Sequence, residues 1–293
     1  MNEHQDQAGS GAVLQGGQMQ VSAISKSFGI GPLRKQVIDK CTFALEKGKL
    51  TVLIGPSGCG KTTLINLLAG YETPDSGSIT VDDVPIKGPA KDRLVVFQET
   101  ALFPWMTTFQ NVVYGPKVRG EKNKKELEDE AMYLLHKVGL AEFRDKYPIQ
   151  LSGGMQRRCE LVRALINRPK IMLMDEPFRG LDAMTRELMQ EYYVRLFEEN
   201  HLTNLFITSE LEEAIFLADR LIILTNRPAS ARTVIEIDLP RPREFKILVT
   251  REYLHYKQQA LEILHEEAMK AFSSGSGTTV SDFLEAYAEV KDK

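Results

Sequence analysis

From Val21 to Leu224, short apolar runs alternate with segments of helical periodicity. The runs TVLI (51–54), IMLM (171–174), LFIT (205–208) and LIIL (221–224) are continuous rather than alternating. Strands buried on both faces read this way, as in a parallel sheet covered by helices. The pattern predicts strands over 20–25, 37–45, 50–54, 77–81, 94–97, 170–174, 205–208 and 221–224. Helices are predicted over 61–69, 124–138, 153–167, 185–199 and 210–218. That order implies an α/β domain ending near residue 227, with the early strands as an antiparallel flank. Residues 1–18 are rich in Gly and Gln, carry no period, and read as a mobile tail. Beyond Pro228 the segment ARTVIEIDLPRPR alternates like an exposed strand. Residues 251–272 then carry apolar positions at helical spacing (Leu254, Leu261, Leu264, Met269, Phe272), and a flexible SSGSGTT stretch precedes a last short helix over 281–290. The 229–293 segment thus reads as a strand and helical extension.

Composition narrows the class. Hydrophobic residues are 43% and charged residues 26% of 293, the balance of a soluble globular protein. With 37 Lys+Arg against 40 Asp+Glu the net charge is −3, which excludes a nucleic-acid-coating surface. No window holds 18 consecutive apolar residues, so no bilayer span is expected, and the first twenty residues lack the basic start and apolar core of a secretory signal. Three dispersed cysteines (Cys41, Cys59, Cys159) make neither a disulfide framework nor a zinc site, and suit the cytosol.

Residues 50–63 read LTVLIGPSGCGKTT: a strand, then Gly55, four residues, Gly60-Lys61-Thr62, then a helix. Chance occurrence of that spacing in such a chain is on the order of 1 in 100 at ordinary residue usage. Glycines let backbone N–H groups converge on phosphate oxygens, and the helix N-terminus adds a favourable dipole. Lys61 supplies a point charge to the β/γ-phosphates and the Thr62 hydroxyl can ligate Mg²⁺. Pro56, Ser57, Gly58, Cys59 and Thr63 complete the loop.

The apolar strand KIMLMDE ends in two acids. Asp175 is placed to hold Mg²⁺ and Glu176 to accept a proton from an attacking water; alone, such acids would as readily cap a helix. A second glycine-rich segment, LSGGMQ at 151–156, opens the next helix with Ser152 as its cap and Gly153-Gly154 as exposed amides. One triphosphate rarely needs two such sites in one chain. Two copies head-to-tail would let each complete the other's site.

With these motifs the chain resembles the ATPase subunits of ATP-binding-cassette transporters, over about residues 21–227. GPSGCGKTT looks like the Walker A loop, LSGGMQ, including Gln156, like the signature, and IMLMDEP like the Walker B strand with its catalytic glutamate. Gln98 in VVFQE is similar to the Q-loop glutamine that couples Mg²⁺ and water to the transport partner. Asp182 in RGLD resembles the D-loop aspartate. Phe28 stands where the family sets an aromatic ring on adenine, although a core role is the commoner fate of such a residue. The resemblance implies a P-loop fold with a helical signature subdomain around 100–165, and ATP and Mg²⁺ as ligands. It implies a dimer with a second cassette subunit, identical or not, that closes on two ATP molecules beneath transmembrane permease subunits. An extracytoplasmic solute-binding protein would act indirectly, and the chain would sit peripherally on the cytoplasmic face of the inner membrane. The stretches ETALFPWMTTFQNVVYG and NRPASARTVIEIDLPRPR are similar to importer ATPases for nitrate, sulfonate and taurine.

One position departs from the pattern. Where the family carries a switch histidine, the chain reads LFITSELEEA, with Ser209 at that place and none of the five histidines falling there. Three readings stay open: a slow ATPase with Ser209 touching phosphate, an ATP-gated dimerisation switch, and a degenerate partner of a complete cassette. A soluble cassette of repair or translation is a further class, but one chain of this length lacks its tandem cassettes or long insertions. Cys59 lies near a helix N-terminus that should lower its thiol pKa and make it reactive. Residues 121–130 (EKNKKELEDE) read as a solvated helix face. Phe103, Pro104, Trp105 and Met106 read either as a groove for a permease helix or as core.

Overall fold

The computed structural model describes residues 16–120, 123–200 and 202–275. In chain order the elements are β1 (Met19–Phe28), β2 (Lys35–Leu45), β3 (Leu50–Ile54), α1 (Lys61–Ala69), β4 (Ser76–Val81) and β5 (Val84–Pro85). There follow β6 (Arg93–Val96), α2 (Thr108–Arg119), α3 (Lys124–Lys137), α4 (Gly153–Leu165), β7 (Ile171–Asp175) and α5 (Ala183–Asn200). The chain continues through β8 (Thr203–Ile207), α6 (Leu211–Leu217), β9 (Arg220–Leu224), β10 (Ala231–Glu236) and α7 (Arg251–Gly275).

Two sheets form. One is antiparallel with order β2-β1-β4-β5; the other has order β10-β9-β3-β8-β7-β6. In the second, β9-β3-β8-β7-β6 pair in parallel and β10 closes the edge antiparallel to β9. Strands β3, β7 and β8 are buried at every residue, which explains their unbroken apolar runs. Alternate side chains serve different cores. Val52, Met172, Met174 and Phe206 join α4, α5, α6 and α7 on one face, while Leu53, Leu173, Leu205 and Ile207 join α1 and the antiparallel sheet on the other.

A third, smaller core lies among α2, α3 and α4, around Val112, Leu135, Cys159 and Val162. Helix α4 is shared: Leu161, Ala164 and Leu165 point into the sheet core, Cys159 and Val162 into the small one. Helix α2 was not among the predicted elements. Its start is fixed by a capping box between Thr107 and Gln110, its end by Gly120 in the left-handed conformation, and it tolerates Pro116 inside.

Two expectations at the ends change. Gly16–Gln18 are not a mobile tail: the Gly17 amide donates to Lys170 O (3.1 Å), its carbonyl accepts from Thr203 Oγ1 (2.6 Å), and the Gln18 amide donates to Asp82 Oδ1 (2.9 Å). Residues 1–15 lie outside the described residues. After β10, Ile237, Leu239, Ile247, Tyr253 and Ala260 are buried in the sheet core, so the segment to α7 is packed into the domain. Helix α7 runs on to Gly275, into the predicted flexible stretch, and the proposed 281–290 helix lies outside the described residues. Among the described residues no helix is long and apolar enough to cross a membrane.

Candidate functional site

The parallel register sets β3 and β7 two strands apart, with β8 between them, so their carboxyl ends open on one cleft. Its volume is about 370 Å³, and it is lined by Phe28, Val37, Ser57, Gly58, Gly60, Lys61, Thr62, Thr63, Gln98, Asp175, Glu176, Arg179 and Arg227. Helix α1 begins without a side-chain cap: the residue before it is Gly60, at φ +122°. Its first amides are therefore left for an anion rather than for the chain itself. Gly60 must be glycine, because a Cβ would lie 2.9 Å from Val37 Cγ1 in a backbone region that side chains avoid.

Lys61 Nζ donates to the carbonyls of Gly55 (3.0 Å) and Pro56 (3.3 Å), folded back over the loop. The Thr62 hydroxyl donates to Asp175 Oδ2 (3.3 Å). Burial raises the Asp175 carboxyl above its ordinary value; the Thr62 hydrogen bond opposes this, the neighbouring Glu176 charge adds to it, and Lys61 opposes it again. A buried carboxylate beside a second carboxylate is relieved by a cation. The hydroxyl, carboxylate and nearby Gln98 amide are the hard oxygen donors that Mg²⁺ takes together with phosphate oxygens, so the donor set fits that ion.

Glu176 is 8% exposed and sits at φ +43°, a conformation that non-glycine residues rarely adopt. Strain of this kind gathers at functional sites. Its amide donates to Ile207 O (2.9 Å), and its carboxylate Oε2 accepts from Arg179 Nη1 at 2.8 Å. Behind it a smaller cavity of about 130 Å³ is lined by Glu176, Phe178, Arg179, Arg186, Thr208, Ser209, Glu210 and Glu213. Ser209 belongs to this second cavity rather than to the cleft.

The remaining sequence-predicted residues divide cleanly. Gly55, Pro56 and Cys59 support the loop without lining the cleft. Cys59 corrects an expectation: it is fully buried, and burial pushes its thiol up, against the opposing effect of Lys61. Burial, not the helix terminus, sets the direction there, opposite to the expected lowering.

Ser152 caps α4, accepting from the Met155 amide (3.3 Å); Ser152 and Gly153 are exposed and Gly154 buried, and none of the three lines this chain's own cleft. Gln156 ties α4 down instead, donating to Pro148 O (2.9 Å) and Leu151 O (3.2 Å). Asp182 Oδ1 accepts from the Thr185 amide (3.0 Å), and hydrogen bonds from Thr185 hold its carboxyl below the ordinary value. Trp105 is 69% exposed beside Phe103, whose ring also meets Tyr114, so part of that apolar stretch is surface and not core.

Three cleft residues were absent from the sequence-predicted site, Val37, Arg179 and Arg227. Arg179 had a signal: it stands three residues after Glu176, one turn along.

Comparison with known proteins agrees with this geometry. The ABC transporter family profile matches residues 38–179. The nitrate import ATP-binding protein NrtD of Synechocystis sp. is 42% identical over 75% of this chain and 85% of its own. An uncharacterized ABC transporter ATP-binding protein of Methanocaldococcus jannaschii is 38% identical, covering 86% of this chain and 93% of its own. The bicarbonate transport ATP-binding protein CmpC of Synechococcus elongatus is 38% identical over 89% of this chain, which spans 40% of that longer protein. Among solved structures, the ATP-binding cassette MJ0796, a dimer in a post-hydrolysis state with ADP and Pi, superposes with TM-score 0.65 at 26% identity, over 76% of this chain and 100% of that one. Phosphate loop, acid pair and signature helix thus occur together on a cassette fold, and the chain belongs to the ABC transporter family as one of its ATPases.

Proposed function

We propose that this chain is the ATP-hydrolysing subunit of an importer for a small anion such as nitrate, a sulfonate or taurine, working as a pair of cassettes beneath a separate permease. The observation that carries the reading is the single cleft that gathers Lys61, Thr62, Asp175 and Glu176 while the signature amides face elsewhere. A loop that grips triphosphate but lacks its own Ser152-Gly153-Gly154 is complete only when a second copy supplies them. The relatives named for nitrate and bicarbonate import support the anion class.

In this reading Lys61 leaves the Gly55 and Pro56 carbonyls for the β/γ-phosphates, and the loop amides cradle the phosphate oxygens. Thr62, Asp175 and Gln98 would hold Mg²⁺, whose charge neutralises the phosphate oxygens when bound. Glu176 takes a proton from a water whose oxygen bonds to the γ-phosphorus. The bond from that phosphorus to the bridging oxygen breaks, and ADP leaves with the electron pair. Phe28 and Arg227, which also line the cleft, serve the base and ribose. Exposed Trp105 and Tyr114, near the Gln98 loop, suit a permease helix at the cytoplasmic face of the inner membrane. A solute-binding protein would act on the far side.

The test is steady-state phosphate release with the Glu176→Gln variant as control, and light scattering of that variant with Mg-ATP. Release above the control and an ATP-dependent dimer are expected; an obligate monomer in the presence of the permease overturns the pairing. The exposed Ser209 favours one other reading, an ATP-gated switch, which release no faster than the control's would select.

A further inference from the structure

We propose that Arg179 is a positioning residue for ATP hydrolysis, holding the Glu176 carboxylate in place and supplying the charged donor that Ser209 lacks. The inference rests on the reading of Glu176 as the general base. Both residues line the nucleotide cleft and also the smaller cavity that contains Ser209, so the pair forms the partition between the two. Its geometry is direct: Arg179 Nη1 lies 2.8 Å from Glu176 Oε2.

The turn that carries Arg179 is rigid. The Arg179 amide donates to Glu176 O (3.1 Å), closing the turn. Phe178, 1% exposed, anchors it between Tyr193 and Phe206, with ring centroids at 6.1 and 5.4 Å. Only the Arg179 side chain, 63% exposed, is left to move, while the Glu176 side chain is 9% exposed. The Arg179 end of the pair is open to solvent and screened, so its placement at a strained, buried acid argues for a role in geometry rather than in folding. A serine hydroxyl carries no charge and reaches less far than a guanidinium. The residue that reaches the carboxylate from the cavity wall is Arg179.

The test compares kcat and KM for ATP in Arg179→Ala, Arg179→Lys and Glu176→Gln, with nucleotide affinity measured separately by a fluorescent ATP analogue. Misplacement of a reacting group by about an ångström lowers rate up to ~100-fold. Arg179→Ala is therefore expected to lose about 10- to 100-fold in kcat with KM and nucleotide affinity nearly unchanged. Arg179→Lys should recover part of that loss. Adding guanidinium ion at tens of millimolar, by order of magnitude, should raise kcat of Arg179→Ala but not of Arg179→Ala/Glu176→Gln. A kcat for Arg179→Ala within twofold of the parent, or faster, overturns the proposal, as does a loss confined to KM. Should Glu176→Gln itself turn over normally, the general-base reading fails instead, and the two failures are told apart.

Discussion

Replacing Glu160 probes the buried clasp that ties the signature helix to the loop carrying Gln98. Arg157 Nη1 lies 2.5 Å from Glu160 Oε2, with side chains 4% and 3% exposed. Arg157 also donates to the carbonyls of Phe97 (2.8 Å) and Gln98 (2.5 Å), and Glu160 accepts from the Ala101 amide (3.0 Å). Burial raises the Glu160 carboxyl and lowers the Arg157 guanidinium, each against the pull of the other's charge. Both directions follow from burial, and a buried pair of this kind is often replaceable by apolar side chains without loss of stability. Removing Glu160 strands the Arg157 charge, which costs about 3–5 kcal/mol, with Glu160→Gln at the low end because its amide oxygen still accepts from Arg157; removing Arg157 leaves Glu160 with Arg163 Nη2, at 3.8 Å, as its remaining cation. Removing both with R157M/E160L should return stability to within about 1 kcal/mol of the parent, or above it.

The double variant nonetheless loses both bonds to the Phe97 and Gln98 carbonyls. Its kcat is expected to fall by about tenfold or more, since the Gln98 loop is no longer pinned. Urea unfolding followed by circular dichroism gives the stabilities, and steady-state phosphate release the rates. Stability and turnover should therefore separate. A single variant losing less than about 1 kcal/mol, or a stable double variant with parental kcat, would refute the reasoning.

Other expectations are briefer. Alkylation of Cys59 should be slow in the folded protein and, because burial raises the thiol, its rate should keep climbing above pH 9, the ordinary thiol value; a plateau near neutrality by mass spectrometry would contradict the burial argument. Gly60→Ala should strain the loop by about 1–3 kcal/mol, roughly 10- to 100-fold in ATP affinity by fluorescence titration. In Asp175→Asn, nucleotide affinity should lose its dependence on magnesium, seen by titrating with and without EDTA. Tyr253→Ala, emptying a site 1% exposed, should cost about 3–5 kcal/mol in thermal or urea unfolding; a silent change would make α7 a detachable appendage.

The central strands and the phosphate loop were legible because each is dictated locally. The run 50–54 and the helix 61–69 are observed at those bounds, since an apolar strand, a glycine turn and a lysine-led helix leave no other arrangement. Helix α2 was hidden by Gly115-Pro116 in its middle, although Thr107 and Gln110 spelled its start. Gly16–Gln18 looked featureless because their partners, Lys170, Thr203 and Asp82, are distant in sequence. Cys59 misled because proximity to a helix end is visible in sequence and burial is not. Arg179 escaped because motif reasoning stops at the residues a motif names, while an ion pair across one turn is read only in space.

Helix α4 is a lever rather than a roller. A turn of one residue about its own axis, about 100°, would drag Leu161 and Leu165 out of one socket and Cys159 and Val162 out of another. Tilting about the carboxyl half would keep both sockets and strain only the ties of Gln156 and Arg157 nearer the other end. The 13 residues span about 20 Å, so the glycine amides at the opposite tip sweep the longest arc. A small adjustment near the sheet is thereby magnified at the exposed Ser152-Gly153 tip.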